Sequence, residues 1–307
     1  MRMTRLSLRR RIFRRPITLR SHLTVLVLVT MIPLLIFSGL MIYILATQER
    51  DTFQKGATER TRALVTAVDT ELRRSITTLE ALAALRFFDH DDLRSFREEA
   101  ARVLKSQPDW FTINLALPSG QQIVNLLWPA DAALPMTRER QSFDQVLRTE
   151  KAAVGHVVQG PVTRHPEFSV RVPVVRNRVI KYVLSAVVKP ETIDRLILPQ
   201  KLPNDWVGVV LDANNRFVTR NIGGEGVVGQ LASESLRAAL ARSPDGWFRG
   251  TTVEGWMVYT PYNRSPFSGW TVTMGIPASV VDAPLRGPVL YMTFLGAALL
   301  LLGIALA

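Results

Sequence analysis

The sequence predicts an α+β fold that lies between two membrane helices. Two runs without a charged residue, 22–46 and 289–307, enclose about 240 more polar residues. Within that enclosed part, a helical pattern of apolar residues comes first, and strand–turn–strand patterns joined by helices then occur twice. Antiparallel hairpins connected by helices, in two copies, predict two small α+β modules in tandem behind a long helix.

The first charge-free run follows a basic segment, residues 1–22. A helix of 24 residues reaches about 36 Å at about 1.5 Å per residue, which crosses a hydrocarbon core of about 30 Å. A cleaved signal peptide is the competing interpretation, but the run is longer than a signal core and lacks a small-x-small motif before Gln48. We therefore predict a retained membrane helix over residues 23–46.

The formal net charge of +12 raises the hypothesis of a nucleic-acid partner. Eight arginines, however, lie in the first twenty residues, and removing them leaves 30 basic and 26 acidic residues. Arginines beside a membrane helix indicate a cytoplasmic N-terminus and contact with anionic lipids. We predict no nucleic-acid partner.

A second membrane helix over residues 289–307 places residues 47–288 in the periplasm. The chain is then a multi-pass protein of a bacterial inner membrane, and its lack of cysteine suits an oxidising compartment. The second run has no basic residue after it. We therefore expect the natural protein to continue into a cytoplasmic effector.

A long helix is predicted from Gln48 to about Phe88, because this stretch has no proline and a single glycine. Its apolar residues recur at helical spacing: Val65, Val68, Leu72, Leu79 and Leu82. Such a stripe packs either on the sheet of its own chain or on a second copy in a dimer. Aspartates before Leu93 predict the cap of a second helix, which ends before Pro108.

Residues 47–200 form the first predicted module, which includes the long helix. Its elements are a hairpin over 110–129 turning at Ser119-Gly120, a helix over 137–154, two strands from 168 and 179 joined at Asn177-Arg178, and a helix with Pro190 in its first turn.

Residues 201–284 form the second predicted module. It contains a hairpin that turns on Asn214-Asn215, a helix over 233–242, and strands within 246–262 and 269–277. The last strand alternates, with Trp270 to Ile276 on the core face, and Pro277 ends it. Residues 277–288 then couple this strand to the second membrane helix, and Pro284 and Pro288 predict a local rigid joint.

Three stretches resemble the double-Cache extracytoplasmic sensor domains of bacterial receptors: residues 160–197, "WVGVVLDANNRFVTRN" and residues 245–277. The resemblance covers roughly residues 45–285 and is most similar to the sensor regions of membrane histidine kinases. It implies a PAS-like fold in each module, with a small-molecule pocket in the membrane-distal one, 47–200. Such domains also occur in chemotaxis receptors and in front of diguanylate cyclases. A stand-alone membrane-anchored solute-binding protein is a further alternative.

Relatives that bind amino acids carry a Tyr-x4-Arg-x-Trp-Tyr pattern followed by an aspartate. Here the corresponding stretch is "MTRERQSFDQVL", in which Arg138 or Arg140 stands for the arginine and Phe143 for the last aromatic residue. Ser142 replaces the tryptophan, and "VVQGPVTRHPEFSV" supplies no aspartate. This sequence therefore lacks part of the pattern that amino-acid-binding relatives carry.

The charged residues of this region indicate a class of ligand independently of the resemblance. Residues 136–181 contain nine Lys or Arg and four acids, and arginines match carboxylates as planar pairs of donors. This predicts an anionic small molecule, against the alternative of a solvated basic face. Asn114, which interrupts an apolar strand, points either into a pocket or to the wet face of a sheet. The candidate ligand-binding residues are Arg138, Arg140, Phe143, Arg171 and Asn114.

No catalytic constellation is visible in this sequence. The four histidines are scattered, and His-Glu-x-x-His, Gly-x-Ser-x-Gly and cysteine motifs are lacking. We therefore predict no enzyme activity for this chain, no cofactor and no metal, and assign Trp128, Trp206 and Trp270 to the core. The sequence predicts the ligand-sensing input half of a membrane receptor, which we expect to be a homodimer.

Overall fold

A computed structural model describes residues 19–197, 202–224 and 226–306. The basic segment predicted before the first membrane helix lies almost wholly outside these residues. The described chain forms two compact units: residues 52–281, and the residues up to Asp51 together with those from Asp282 onward.

Six helices and eleven strands make up the described chain. The helices are α1 (Leu19–Ala83), α2 (Leu93–Lys105), α3 (Arg140–Thr149), α4 (Glu191–Ile197), α5 (Glu234–Leu240) and α6 (Ala278–Leu306), with a 3-10 turn at Arg86–Asp89. The strands are β1 (Trp110–Ala116), β2 (Gln122–Asn125), β3 (Ala153–Val154), β4 (Val158–Gln159), β5 (Pro166–Arg176), β6 (Val179–Val188), β7 (Val207–Leu211), β8 (Phe217–Arg220), β9 (Asp245–Thr251), β10 (Met257–Arg264) and β11 (Thr271–Pro277).

The smaller unit contains the apolar part of α1 and most of α6. Within α1 lies the one segment of the described residues that is long and apolar enough to cross a membrane. Its large apolar side chains from Val25 to Leu45 are mostly exposed in the structure. Gly296 of α6 is buried, and a Cβ atom there would come 3.0 Å from Cδ2 of Leu35, so the two helices approach closely at this glycine.

The helix that contains nearly all of the predicted second membrane span, residues 289–307, begins before that span. Helix α6 begins at Ala278, directly after β11, so residues 278–288 are already helical instead of forming a separate connection. A proline just before a helix has no hydrogen bond to lose there, which makes Pro277 a suitable last residue of the strand. The side chains of residues 284–290 lie outside the description, and membrane crossing by α6 stays a prediction.

The larger unit contains two antiparallel sheets. The six-stranded sheet has the order β2-β1-β6-β5-β3, with β4 also pairing with β5, and the five-stranded sheet has the order β8-β7-β11-β10-β9. Each predicted hairpin turn is present, and the Asn177-Arg178 turn has both residues at positive φ, 52° and 63°. Left-handed backbone at both central residues matches the twist of the strands that they join.

The apolar stripe of α1 packs within its own chain. Its five residues are at most 6% exposed and belong to the main core cluster. This cluster also holds side chains of both sheets, among them Phe168 of β5 and Val272 of β11, together with Trp270, which directly precedes β11. The interpretation of the stripe as packing on its own sheet is therefore correct. The predicted homodimer has to use other surfaces.

Two sequence-based expectations about strands and helices are wrong. The observed helix, α3, is shorter than the helix predicted over 137–154. It ends because Glu150 takes the left-handed conformation (φ 55°), and strand β3 follows. The strand β11 is buried on both faces instead of one, since Thr271 and Thr273 are buried together with Val272. Its neighbours β7 and β10 make it the central strand of its sheet.

One ion pair of the five-stranded sheet gives a pH-dependent prediction. Arg220 of β8 contacts Oε1 of Glu254 at 2.5 Å, and this hydrogen bond lowers the pKa of Glu254 from its ordinary value of 4.5 to about 2. The stabilisation is therefore complete above pH 4.5 and is lost as the pH falls from 4.5 to about 2. Because the Glu254 side chain is 36% exposed, we expect its contribution to be about 1 kcal/mol or less.

The measurement compares Glu254→Gln with the unchanged chain by chemical denaturation at several pH values. The difference in free energy of unfolding should shrink between pH 4.5 and about 2. A difference that stays constant across this window would contradict the assignment.

Candidate ligand-binding site

A cavity of about 310 Å³ lies against one face of the six-stranded sheet. Its floor is formed by side chains of β1, β2, β5 and β6, and its walls by residues 135–140 before α3 and residues 156–167 around β4. Asn114, Ser185 and Arg171 share this face because they are register partners on neighbouring strands. The volume is within the range of small-molecule sites.

Four of the five predicted binding residues line this cavity. They are Asn114, Arg138, Arg140 and Arg171, which come from β1, the segment before α3, α3 itself and β5. Phe143 does not line it, because its side chain is completely buried. Instead its ring lies beneath two guanidinium groups, with the Cζ atoms of Arg140 and Arg171 at 4.8 and 5.7 Å from its centroid.

Arg171 is fully engaged with the protein. Its Nε donates to Oγ of Ser142 and its Nη1 to Oγ of Ser185, both at 2.8 Å, and its Nη2 lies 3.5 Å from Oε2 of Glu139. Burial lowers the pKa of Arg171, while the charge of Glu139 opposes this change. Arg171 is therefore a buried cation that is paired within the protein, and its predicted contact with a ligand stays a prediction.

Glu139 holds this buried cluster together. Its Oε1 accepts a hydrogen bond of 2.9 Å from the backbone N–H of Ser142, which caps the start of α3, and lies 3.3 Å from Nδ1 of His156. His156 lines the cavity, so Glu139 connects the cavity wall to Arg171. The buried carboxylate is satisfied on both oxygens.

The two other arginines differ in their pairing. Arg140 donates to the carbonyl of Ser119 at 3.1 Å and pairs with Asp144 at 2.7 Å. Arg138 is exposed, and among the described residues it has no hydrogen-bond or ion-pair partner. Arg138 is thus the cavity arginine that is available to an anion.

Three buried polar atoms of the cavity lining have no partner within the described part of the chain. They are Oδ1 of Asn114, Nε1 of Trp128 and Oγ1 of Thr137. Buried polar groups are nearly always hydrogen-bonded, because each unsatisfied group costs about 1–3 kcal/mol. One acceptor, one donor and one hydroxyl therefore point to a polar occupant, either water or a ligand.

The side-chain amide of the neighbouring Asn125, in the same sheet, is hydrogen-bonded through both its oxygen and its nitrogen. Its Oδ1 accepts from Oγ1 of Thr112 and from the N–H of Leu127, each at 3.0 Å, and its Nδ2 donates to Gln122 at 2.8 Å. Asn114 is its register partner across β1 and β2. The unpaired carbonyl of Asn114 is therefore specific to that position.

Glu167 gives the cavity an acidic wall. Its side chain accepts a hydrogen bond of 2.7 Å from Oγ1 of Thr163, and no cation among the described residues pairs with it. Burial raises the pKa of Glu167, which the hydrogen bond from Thr163 opposes. A carboxylate in this position can accept from a cationic or donor group of a ligand.

Among the lining residues that sequence reasoning did not select are Trp128, Thr137 and Glu167. The expectation that Trp128 is a core residue is wrong, whereas Trp206 and Trp270 are buried as predicted. Residues of this kind come from loops and strand ends, where no periodicity marks them. The count of basic residues over 136–181 was also misleading, because Arg176 pairs with Asp89 and Lys181 with Asp91 away from the cavity.

Within the described residues, no group of three or more His, Cys, Asp and Glu side chains is placed to hold a metal ion. The cavity lining offers hydrogen-bond donors, acceptors and two unpaired charges. Binding of a small polar molecule is the chemistry that this lining can perform.

No protein-family model matches the chain, and no curated protein matches it by sequence. Solved structures match its fold. The extracellular domain of a proposed histidine kinase, rpHK1S-Z16, is 15% identical, with a TM-score of 0.62 over 77% of this chain and 98% of that one. The periplasmic sensory domain of the chemoreceptor Tlp1 of Campylobacter jejuni is 12% identical, with a TM-score of 0.57 over 77% and 99%.

A third similar structure is the ligand-binding domain of the amino-acid chemoreceptor PctB of Pseudomonas aeruginosa in complex with L-Arg. It is 13% identical, with a TM-score of 0.59 over 76% of this chain and 98% of that one. These neighbours are sensor and ligand-binding domains, and none of the three is a catalytic domain. The predicted α+β class and the resemblance to extracellular sensor domains are thereby confirmed for the fold, which this chain shares with the sensors of histidine kinases and chemoreceptors.

Proposed function

We propose that this chain is the extracytoplasmic, ligand-sensing input module of a membrane receptor. The observation that carries the proposal is the cavity of about 310 Å³ with three unpaired buried polar atoms and the unpaired Arg138 on its lining. The fold of extracellular sensors and the apolar segment of α1 support it.

The finer arrangement follows from the sequence. Residues 47–200 form a membrane-distal and residues 201–284 a membrane-proximal PAS-like Cache unit, between membrane helices over 23–46 and 289–307. The N-terminus is cytoplasmic, residues 47–288 are periplasmic in the inner membrane, and the receptor is a homodimer. A two-component histidine kinase is the output that we favour, with a chemotaxis receptor or a diguanylate cyclase as the alternative.

The ligand that fits the lining best is a small molecule with a carboxylate. Arg138 would take the carboxylate, and Trp128 Nε1, Thr137 Oγ1 and Asn114 Oδ1 would hold polar groups of the ligand. An amino acid is the second candidate, because the unpaired Glu167 would accept an ammonium group. Similar structures have been solved in complex with L-Arg and with L-isoleucine.

A contact inside the larger unit offers a route by which an occupied cavity would affect the second sheet. Val157, next to His156 in the cavity lining, donates its backbone N–H to Oδ2 of Asp212 at 2.8 Å. Asp212 is completely buried and its Oδ1 also accepts from the N–H groups of Asn214 and Arg216 in the β7–β8 turn. A ligand that favours one of two conformations would shift both sheets together through this link.

Replacing Arg138 tests the ligand class. The full chain in lipid nanodiscs is screened by thermal unfolding against organic acids, amino acids and amines, since a ligand of the folded state raises the midpoint. For any ligand found, Arg138→Gln should weaken binding by about 10- to 100-fold, the value of a charge-assisted hydrogen bond. Arg148→Gln, an exposed arginine of α3 that does not line the cavity, is the matched control and should change nothing.

Glu167→Gln separates the two candidates. Loss of affinity comparable to that of Arg138→Gln would assign an amino acid, and unchanged or tighter binding would assign an acid without an amine. Ligands that carry no carboxylate and bind equally well to Arg138→Gln would contradict the proposal.

A further inference from the structure

A second, smaller cavity lies against the five-stranded sheet. Its volume is about 50 Å³, and helix α5 and the turn between β9 and β10 complete its walls. Seven of the fourteen lining residues are aliphatic or aromatic, among them Val207, Val209, Phe217, Leu236, Phe248 and Val258. The polar lining consists of Arg220 with serine and threonine side chains. A cation in such a wall has to be neutralised from within the cavity or from its rim.

Arg220 lies in an environment similar to that of Arg171 in the other sheet, but its guanidinium makes fewer hydrogen bonds. Both are strand residues with buried side chains, and each has one carboxylate partner, Glu254 and Glu139 respectively. The Nε, Nη1 and Nη2 atoms of Arg171 all donate hydrogen bonds. In Arg220, Nη1 donates to Glu254, whereas the buried Nε has no partner among the described residues.

We propose that this cavity is a second ligand site, for a monocarboxylate of two or three carbons. The carboxylate would accept from the unpaired Nε and a terminal nitrogen of Arg220, because a guanidinium presents parallel donors that match two carboxylate oxygens. The alkyl group would lie against the aliphatic wall.

The size of the cavity sets the chain length. At about 10–15 Å³ for each water-sized group, 50 Å³ holds about three to five non-hydrogen atoms. Acetate and propionate are of this size, whereas hexanoate and most amino acids exceed it. The site therefore takes smaller ligands than the larger cavity does, and it does not depend on the function proposed for that cavity.

Glu254 would compete with such a ligand. It lies in the turn over residues 252–256, where Gly255 takes a positive φ of 87° and Thr252 donates to the carbonyl of Trp256 at 3.0 Å. Its side chain is partly exposed, so the carboxylate can leave Arg220 and be hydrated. Removing its charge should leave Arg220 free for the ligand and strengthen binding.

The test titrates the full chain in nanodiscs with sodium propionate and sodium acetate at constant ionic strength, followed by saturation-transfer NMR of the ligand methyl group. We expect saturable binding of both, and none of hexanoate. Propionamide, which has the shape of propionate without its charge, should bind at least about 10-fold more weakly. Absence of saturable propionate binding would overturn the proposal.

Variants assign the binding to this cavity. Arg220→Met, which keeps the apolar stem, should weaken propionate binding at least about 10-fold, and Glu254→Gln should strengthen it by about 3- to 10-fold. Because Glu254 is partly exposed, the second variant tests the proposal even if Arg220→Met does not fold. Arg148→Gln, an exposed arginine that lines neither cavity, is the matched control and should leave propionate binding unchanged. Unchanged binding in a folded Arg220→Met variant, or equal binding in Glu254→Gln and the unchanged chain, would overturn the proposal.

Discussion

Replacing Glu139 by alanine is expected to lower the free energy of unfolding by about 3–5 kcal/mol. The substitution leaves Arg171 as a buried cation without its carboxylate partner, which is the costly way to break a buried ion pair. It also removes the side chain that caps α3 through the N–H of Ser142, which adds about 1 kcal/mol. Chemical denaturation of the full chain in detergent, followed by tryptophan fluorescence, measures the change.

The control for Glu139→Ala is Asp144→Ala. Asp144 pairs with Arg140 at 2.7 Å, but both side chains are more than 40% exposed. An exposed pair of this kind contributes about 0–1 kcal/mol, so the same loss of a carboxylate should have little effect here. The double variant Glu139→Ala with Arg171→Met should recover part of the loss, because the uncompensated charge is then absent. If Glu139→Ala and Asp144→Ala lowered the free energy of unfolding equally, the Glu139–Arg171 pair would not be important for stability.

Replacing Trp270 by alanine is expected to cost about 3–5 kcal/mol as well, because it opens a cavity in the main core. Trp270 is 1% exposed, and its ring meets that of Phe168 edge-on with centroids 4.8 Å apart. Since Phe168 belongs to the six-stranded sheet and Trp270 directly precedes β11 of the five-stranded sheet, this pair joins the cores of the two sheets. We expect one cooperative unfolding transition for residues 52–281 in the unchanged chain and separate transitions of the two sheets in the variant.

Trp256→Ala is the matched control, because this tryptophan is 59% exposed at the tip of the β9–β10 hairpin. A change below about 0.5 kcal/mol is expected there. A double-mutant cycle of Trp270→Ala with Phe168→Ala should give a coupling of about 0.5–1.5 kcal/mol for the aromatic pair. Additive effects of the two substitutions would mean that the rings do not support one another.

Most of the secondary structure could be predicted because its signals are local. Asn177-Arg178 takes left-handed backbone that a two-residue hairpin needs, and Asp92 caps α2 by accepting from the N–H of Ser95 at 3.0 Å. The spacing of Val65 to Leu82 on α1 predicted the face that is buried. Turns, caps and helix faces depend on residues within one or two turns of the chain, so the sequence displays them directly.

The cavity could be predicted only in part. Charge density and the resemblance selected Asn114, Arg138, Arg140 and Arg171, and all four line it. Nothing local distinguished Arg138, which is unpaired, from Arg171, whose hydrogen bonds are all made within the protein. The acidic wall at Glu167 and the indole of Trp128 were not recognised, because a residue at the end of a strand and a residue in a loop lie outside any periodic pattern.

By itself, the sequence determined the α+β class, the order of the elements and the apolar segment of α1. The tertiary structure decided which charges are free, because Glu139 and Arg171 lie 32 residues apart and meet only when α3 packs on the sheet face that carries β5. The same holds for Arg220 and Glu254, and for the burial of both faces of β11 between β7 and β10. Pairing between distant segments depends on sheet register and packing, which no local pattern of residues contains.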